Sequence, residues 1–156
     1  MRRDDEILLV QQGEPGGELH WSLPGGVLEE DELLHEGLAR EVREEAGLEI
    51  AGPLRLAFVV QVDNRRPEPL RLRDREGIGY LATVWTFEIG SWWGEVGPRD
   101  PDGLVREARF VPLDEGTRRL EAVPWHELTV GYMRGELEPG SVHLRRWHAD
   151  GGVDVL

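Results

Sequence analysis

Three glutamates, Glu41, Glu44 and Glu45, have the types and spacing that could do chemistry. At about 100° per residue of helix they fall within roughly 100° of arc on one face. They border an apolar stripe, Leu34, Leu38 and Val42, with Ala39 and Ala46 at its far edge. Carboxylates at the margin of a buried face are partly desolvated and repel one another, so their ionised forms call for a compensating cation. An all-oxygen cluster without Cys or His favours a hard ion, Mg²⁺ with Mn²⁺ as a substitute, over Zn²⁺. Mg²⁺ held by a few carboxylates keeps positions open for water and phosphate oxygens, which points to phosphoryl chemistry. Any single pair of these glutamates reads better as a solvated acidic face. The case rests on the surrounding segment.

Composition removes most competing chemistries. The chain has 156 residues, enough for one domain with a real core. It has no cysteine, which excludes disulfides, thiolate zinc sites and a Cys nucleophile. It has no lysine either, all 18 basic residues being arginine, so Schiff-base chemistry and a P-loop lysine are absent. A formal charge of −13 disfavours binding to long nucleic acids. No apolar run approaches the ~18 residues of a membrane span, and the four apolar residues after the charged start are too few for a signal peptide. The expectation is a cytoplasmic protein whose partner is a small molecule, with no membrane and no long nucleic acid.

The elements that must position the glutamates read as one α/β domain without linkers or repeats. Ile7–Gln12 reads as a strand, followed by a Gly/Pro turn, a short extended piece at His20–Leu23, and Pro24-Gly25-Gly26. The pattern is helical between Glu29 and Ala46. Gly47 then Leu48 forms a stop signal: a left-handed glycine followed by an apolar residue folding back. Leu54–Asp63 and Gly79–Ile89 have strand composition and flank a polar, arginine-rich stretch. Arg109–Pro112 reads as a short strand. Leu113–Glu121 starts a second helical region reaching toward Arg134, and Ser141–Leu156 reads as two short strands around Ala149-Asp150-Gly151-Gly152. Strands interleaved with two helices predict a sheet covered on both faces.

The segment from Gly26 through Glu32, Arg40, Glu41, Val42, Glu44, Glu45 and Gly47 to Leu48 resembles the Nudix signature, G-x5-E-x7-R-E-U-x-E-E-x-G-U with U apolar. All nine specified positions match, and a chance match in a chain of this length is on the order of 1 in 10⁵. Trp21-Ser22-Leu23-Pro24-Gly25-Gly26 and the segment from Arg109 to Glu115 extend the resemblance, which covers roughly Ile7 to Leu120. It implies a Nudix-like α/β/α sandwich with a mixed β-sheet between helices. The whole chain, 1–156, would be one such domain with a C-terminal hairpin extension about 141–156. It also implies hydrolysis of a diphosphate linked to a nucleoside or similar group. Glu41, Glu44 and Glu45 would be metal ligands, with the Gly26 carbonyl as an additional one. Glu32 and Arg40 would brace loop against helix, since a planar guanidinium suits a carboxylate. One helix glutamate, or a later acid of which Glu107 is the first to examine, would take the proton of the attacking water.

The chain departs from the pattern in three places. Leu33 cannot cap the helix with an oxygen, so Asp31 or the loop is expected to do so. Gly37 inside the helix costs about 1 kcal/mol relative to Ala. Only six residues precede the first strand, where the family has a further one. Either the start is shortened, or the C-terminal hairpin fills the edge, or a second copy covers it as a homodimer.

Substrate signals are weaker. Arg65, Arg71 and Arg73, with Arg66 and Arg75, could clamp phosphates, although interleaved acids make an exposed loop the blander reading. Trp92, beside Trp93, could stack a base or pack in a loop. ADP-ribose or another nucleotide sugar, a dinucleoside polyphosphate and a (deoxy)nucleoside triphosphate remain open. The reading from a different class is a catalytically inactive, nucleotide-sensing binding module on the same fold. Such modules usually lose helix carboxylates, and all three are present here.

Overall fold

The structure, a computed structural model, describes residues 1–14, 16–66 and 79–156. Arg71, Arg73 and Arg75 lie outside them. The described chain forms two compact units, the first made of Met1–Leu54 and Glu88–Glu136, the second of Arg55–Phe87 and Leu137–Leu156.

In the first unit β2 (Glu6–Gln12) is the organising strand, because both of its faces are apolar. Leu8 and Val10 point one way and Ile7 and Leu9 the other, all at most 4% exposed. A two-residue β1 (Arg2–Arg3) and β3 (His20–Ser22) pair antiparallel with it, Arg2 opposite Ile7 and Val10 opposite Ser22. Another strand from later in the chain, β6 (Val105–Pro112), also runs antiparallel to it, Glu6 opposite Pro112 and Val10 opposite Ala108. The register shifts between Gln11 and Gln12.

Helix α1 (Leu34–Ala46) covers the Leu8 and Val10 face. Its Val42 and Ala46 pack with Leu8, Val10, Ala108, Leu48 and Ile89, and Leu38 joins at the margin. The opposite face packs Ile7, Leu9 and Val111 against Leu120 of α2 (Leu113–Glu121) and Val130 of α3 (Glu127–Met133). The expected α/β/α layering is thus present around this sheet. The expected long second helix is in fact α2, a 3-10 turn at Pro124–His126, and α3. Pro124 has no N–H and its ring prevents α2 from continuing.

Strands β4 (Leu48–Asn64) and β5 (Tyr80–Gly94) are longer than their composition suggests. Their sheet has the order β5-β4-β7-β8, with β7 Ser141–Trp147 and β8 Val153–Val155. The C-terminal hairpin is present, but it does not fill the edge beside β2. Its first strand adds to β4 in parallel, Phe58 opposite Ser141 and Asn64 opposite Trp147. The strand beside β2 is β1, Arg2–Arg3. This sheet is mixed, since β8 runs antiparallel to β7.

His126, at the 3-10 turn, is 7% exposed, and its Nε2 has no hydrogen-bond partner. Burial, reinforced by the charge of His20, pushes its imidazole down to about 4. The unfolded chain therefore takes up a proton near pH 6.5 that the folded chain refuses until about 4. Stability should fall by up to about 3 kcal/mol as pH drops through that window. Urea unfolding at pH 7 and pH 4.5 reads the loss. A slope that persists unchanged in His126→Gln would assign it to other groups.

Candidate active site

Helix α1 starts at Leu34, five residues later than its pattern suggests, and the intervening loop is what meets the carboxylates. Asp31 does not cap the helix; it sits at φ 64°, where the chain turns into the loop's last residues. The cap is instead made by Glu36, whose carboxylate accepts the Leu33 N–H at 2.8 Å. Glu32 turns back on its own loop, accepting the Glu29 N–H at 3.0 Å, and faces the helix.

Arg40 closes loop onto helix. Its Nε and Nη2 donate to the two oxygens of Glu32 at 2.9 and 3.0 Å, and Nη2 also reaches the Val27 carbonyl at 3.2 Å. Nη1 donates to Glu41 at 2.8 Å and to Glu44 at 3.3 Å. One guanidinium thus serves three carboxylates. The hydrogen bond to Glu32 contributes most to holding its proton more tightly than usual, against burial, with the bond to Glu41 adding to it.

Gly37 is explained by this approach. A Cβ there would collide with the Leu28 side chain and come within 2.8 Å of a Glu32 oxygen. The residue that weakens the helix makes room for the loop that braces it. Gly37→Ala should leave melting within a few degrees, because about 1 kcal/mol of helix propensity offsets the displaced side chains. It should also detach Glu32 from Arg40 and cut turnover about tenfold. Native activity in that variant would mean the bracing pair is dispensable.

The three helix glutamates differ in environment. Glu45 is 8% exposed and accepts the Gly25 N–H at 2.8 Å. Burial pushes its carboxyl up to about 8 against that hydrogen bond, with the charges of Glu41, Asp100 and Glu44 adding to the rise. Burial also raises Glu41, with Arg40 opposing. Glu41 lies directly on the loop, for a Cβ at Gly26 would strike its carboxylate. Gly26, Glu41 and Glu45 are therefore gathered where the loop crosses the helix, and Glu44 is joined to them through Arg40. Among the described residues no three acidic or histidine side chains converge closely enough to cage an ion as they stand. The cause is visible: Arg40 engages Glu41 and Glu44, while Glu45 is turned to Gly25. The donor chemistry, three carboxylates and the Gly26 carbonyl with one carboxylate buried, nevertheless fits a hard divalent cation.

A loop that sequence reasoning did not single out fixes the other end of α1. Gly97 N–H donates to the Ala46 carbonyl at 3.0 Å and Arg99 N–H to the Glu44 carbonyl at 2.6 Å. Gly47 ends the helix at φ 73°, as its position predicts, and any Cβ there would come within 2.8 Å of the Glu95 carbonyl. Asp100 folds this loop on itself, accepting the N–H groups of Asp102, Leu104 and Val105 at 3.0, 2.7 and 2.8 Å. It is the acid of this loop whose charge reaches Glu45. Glu107 sits elsewhere. It alternates with Ala108, on the strand face away from α1, and pairs with Arg109 at 3.1 Å.

Trp92 stacks on Phe110, with ring centroids 5.7 Å apart, and packs against the α1 core. Arg65 belongs to the second unit and pairs with Asp63 at 2.9 Å. A cleft of about 440 Å³ does lie within the first unit, lined by His20, Trp21, Arg119 and Trp125 among others. Trp125 is 59% exposed and meets His20 edge-on at 5.5 Å. The Arg119 guanidinium lies 4.1 Å over Trp21, pairs with Glu115 and keeps a buried Nη1 without a partner. The only sequence signal for this cleft is an exposed-type Pro124-Trp125 pair in a helical region.

The NUDIX domain model matches residues 1–130. An 8-oxo-dGDP phosphatase of Danio rerio is 30% identical over 129 residues, 80% of this chain and 38% of the relative. Nudix hydrolase 6 of Arabidopsis thaliana is 29% identical over 130 residues, 81% of this chain and 39% of the relative. The chain thus spans well under half the length of these two curated relatives. Among solved structures, a MutT protein from Bacillus halodurans superposes with a TM-score of 0.64 at 20% identity, covering 96% of this chain and 86% of that one. A NUDIX hydrolase from Nitrosomonas europaea gives 0.57 at 25% identity, covering 88% and 86%. The signature residues, the layering around β2 and these likenesses agree: the chain belongs to the NUDIX domain family.

Proposed function

We propose that this chain is a divalent-metal-dependent pyrophosphohydrolase that cleaves a phosphoanhydride bond of a nucleoside diphosphate derivative. The carrying observation is the crossing of the Gly25–Gly26 loop over Glu41 and Glu45, with Glu44 tied in through Arg40. Glu41, Glu44, Glu45 and the Gly26 carbonyl would hold Mg²⁺ or Mn²⁺. When bound, such an ion supplies a Lewis acid for phosphate oxygens and acidifies water. The chain's own residues do the rest. Arg40 neutralises excess carboxylate charge and clamps loop to helix, and the Gly97 and Arg99 amides fix the helix end that carries Glu44 and Glu45. One of the three helix carboxylates accepts the proton of the attacking water.

The cleft beside Trp125 and His20, on the α2 side of the sheet, offers aromatic faces and one unpaired Arg119 donor that would suit a small organic ligand. The chain's formal charge of −13 argues against a long nucleic acid as the substrate. No helix among the described residues is long and apolar enough to cross a membrane; a cytoplasmic location belongs to the same reading. A substrate panel with Mg²⁺ or Mn²⁺ tests the proposal, following phosphate, pyrophosphate and nucleoside monophosphate. It includes ADP-ribose, nucleotide sugars, dinucleoside polyphosphates, (deoxy)nucleoside triphosphates and, from the Danio rerio relative's name, 8-oxo-dGDP. EDTA-sensitive turnover of one class is expected. Silence across the panel, with calorimetric binding of a nucleotide, would replace the hydrolase by a sensing module.

A further inference from the structure

In the second unit the pleat of the sheet sorts charges by face, and the register shows how. On β7, Arg146 stands between Asp63 of β4 and Asp154 of β8. Asp63 accepts the Arg146 Nε–H at 2.9 Å and pairs with Arg65 at 2.9 Å as well. The strand neighbours of Arg146, Arg145 and Trp147, point to the opposite side. There Arg145 stands between Val62 and Val155, and Trp147 between Asn64 and Val153. Neither row contains a carboxylate. Arg145 is partly buried, and its Nη1 makes a long bond, 3.4 Å, to the Leu144 carbonyl.

A second arginine joins this face through Trp147. The Arg65 N–H extends the ladder by donating to the Trp147 carbonyl at 2.8 Å, and the Arg66 N–H turns back to Asn64 Oδ1 at 3.0 Å. That turn lays the Arg66 guanidinium 4.3 Å over the Trp147 ring, with its Nε buried and without a hydrogen-bond partner. Among the described residues neither Arg66 nor Arg145 is in an ion pair. Arginines withdrawn from water are ordinarily paired, and this chain has 31 acidic residues to pair its 18 basic ones. Stacking fixes the plane of Arg66 and leaves the edge of its fork to oxygens of a ligand. Trp147 and Arg145 are two residues apart on one strand face, about 7 Å, so both guanidiniums reach one tetrahedral oxyanion. Two cations balance a dianion. The charge elsewhere on the chain is screened beyond about 8 Å at physiological salt, so it repels a long polyanion more than a single phosphate in contact. We propose that Arg66, stacked on Trp147, and Arg145 form a binding site for the phosphate group of a small phosphate monoester.

Glycerol 3-phosphate is the probe, titrated into the full chain in EDTA at near-physiological salt. Nitrogen-15 resonances of the arginine side chains are expected to shift saturably for Arg66 and Arg145 and to stay in place for Arg146. That measurement needs no variant in the binding state. In calorimetry, Arg66→Gln with Arg145→Gln should weaken binding at least about tenfold with far-UV circular dichroism unchanged. Arg66→Lys with Arg145→Lys keeps both charges but loses both forks, and should still weaken it several-fold. Arg146→Gln, on the opposite face, should leave affinity within about twofold, because Arg146 is already engaged by Asp63. Equal shifts at Arg146 would reduce the effect to a diffuse ion atmosphere and overturn the proposal. Unchanged affinity in the double glutamine variant would overturn it too, as would attachment to phosphatidate vesicles without any response to glycerol 3-phosphate. Binding is read without metal and without turnover, so the hydrolase reading stands or falls separately.

Discussion

Glu45→Gln is expected to unfold at a higher temperature than the native chain in EDTA at pH 8 while losing turnover by about 10²–10³-fold. The two effects share one cause. The Glu45 carboxyl is buried against the Gly25 amide and beside Glu41, and burial raises it to about 8. In the unfolded chain it releases its proton near the ordinary value of 4.5. Between those values the folded state holds a proton that the unfolded state has lost, so stability falls as pH rises through the window. The full span corresponds to at most about 5 kcal/mol. Glutamine keeps an oxygen for the Gly25 N–H and cannot ionise, so it escapes the loss. It also removes one anionic ligand. Thermal melts at pH 5 and pH 8, with and without Mg²⁺, separate the parts. The native chain should regain stability at pH 8 when Mg²⁺ is added, and Glu45→Gln should respond much less. A variant less stable than the native chain in EDTA at pH 8 would mean that Glu45 is not strained there.

Arg40→Ala should be the most destabilising single change at the site, by about 3–5 kcal/mol, because it removes the cation shared by Glu32, Glu41 and Glu44. Arg40 is 18%, Glu41 15% and Glu44 33% exposed, so solvent screens only part of the loss and about 5 kcal/mol is an upper bound. The loop from Val27 to Glu32 would lose its attachment as well. Arg40→Lys keeps the charge but cannot make the two parallel bonds to Glu32 and reach Glu41 and Glu44 together. It should fall between the two in stability and still turn over poorly. Urea unfolding in EDTA measures all three proteins, and Mg²⁺ should recover part of the loss in Arg40→Ala by supplying another cation. A cost under about 1 kcal/mol for Arg40→Ala would place the guanidinium among weak surface pairs.

Much of this arrangement is legible in the residues alone because it is local. The helical spacing of Glu41, Glu44 and Glu45 needs only the pitch of a helix, and Gly47 marks its end because a left-handed turn is cheap for glycine. The continuous apolar run from Ile7 to Val10 similarly marks a strand. Gly37 shows the limit of local reasoning. Within the helix it looks like a flaw, and only the proximity of Leu28 and Glu32 reveals which side chains a methyl group there would displace.

What the sequence by itself determined was the carboxylate cluster, from helical spacing, and the family, from its signature segment; the pairing of Glu32 with Arg40 came with the family resemblance. Tertiary structure decided which glutamate is buried, because that depends on where the Gly25–Gly26 loop lands. It brought Asp100 rather than Glu107 to Glu45, because the pleat of β6 turns Glu107 to the face opposite α1. It put Trp92 on Phe110 and joined His20 to Trp125 across about a hundred residues. It also sent the C-terminal hairpin to β4, a parallel pairing that leaves no local mark in the chain. In each case the deciding term is a contact between segments distant in sequence, whose burial and charge no local pattern encodes.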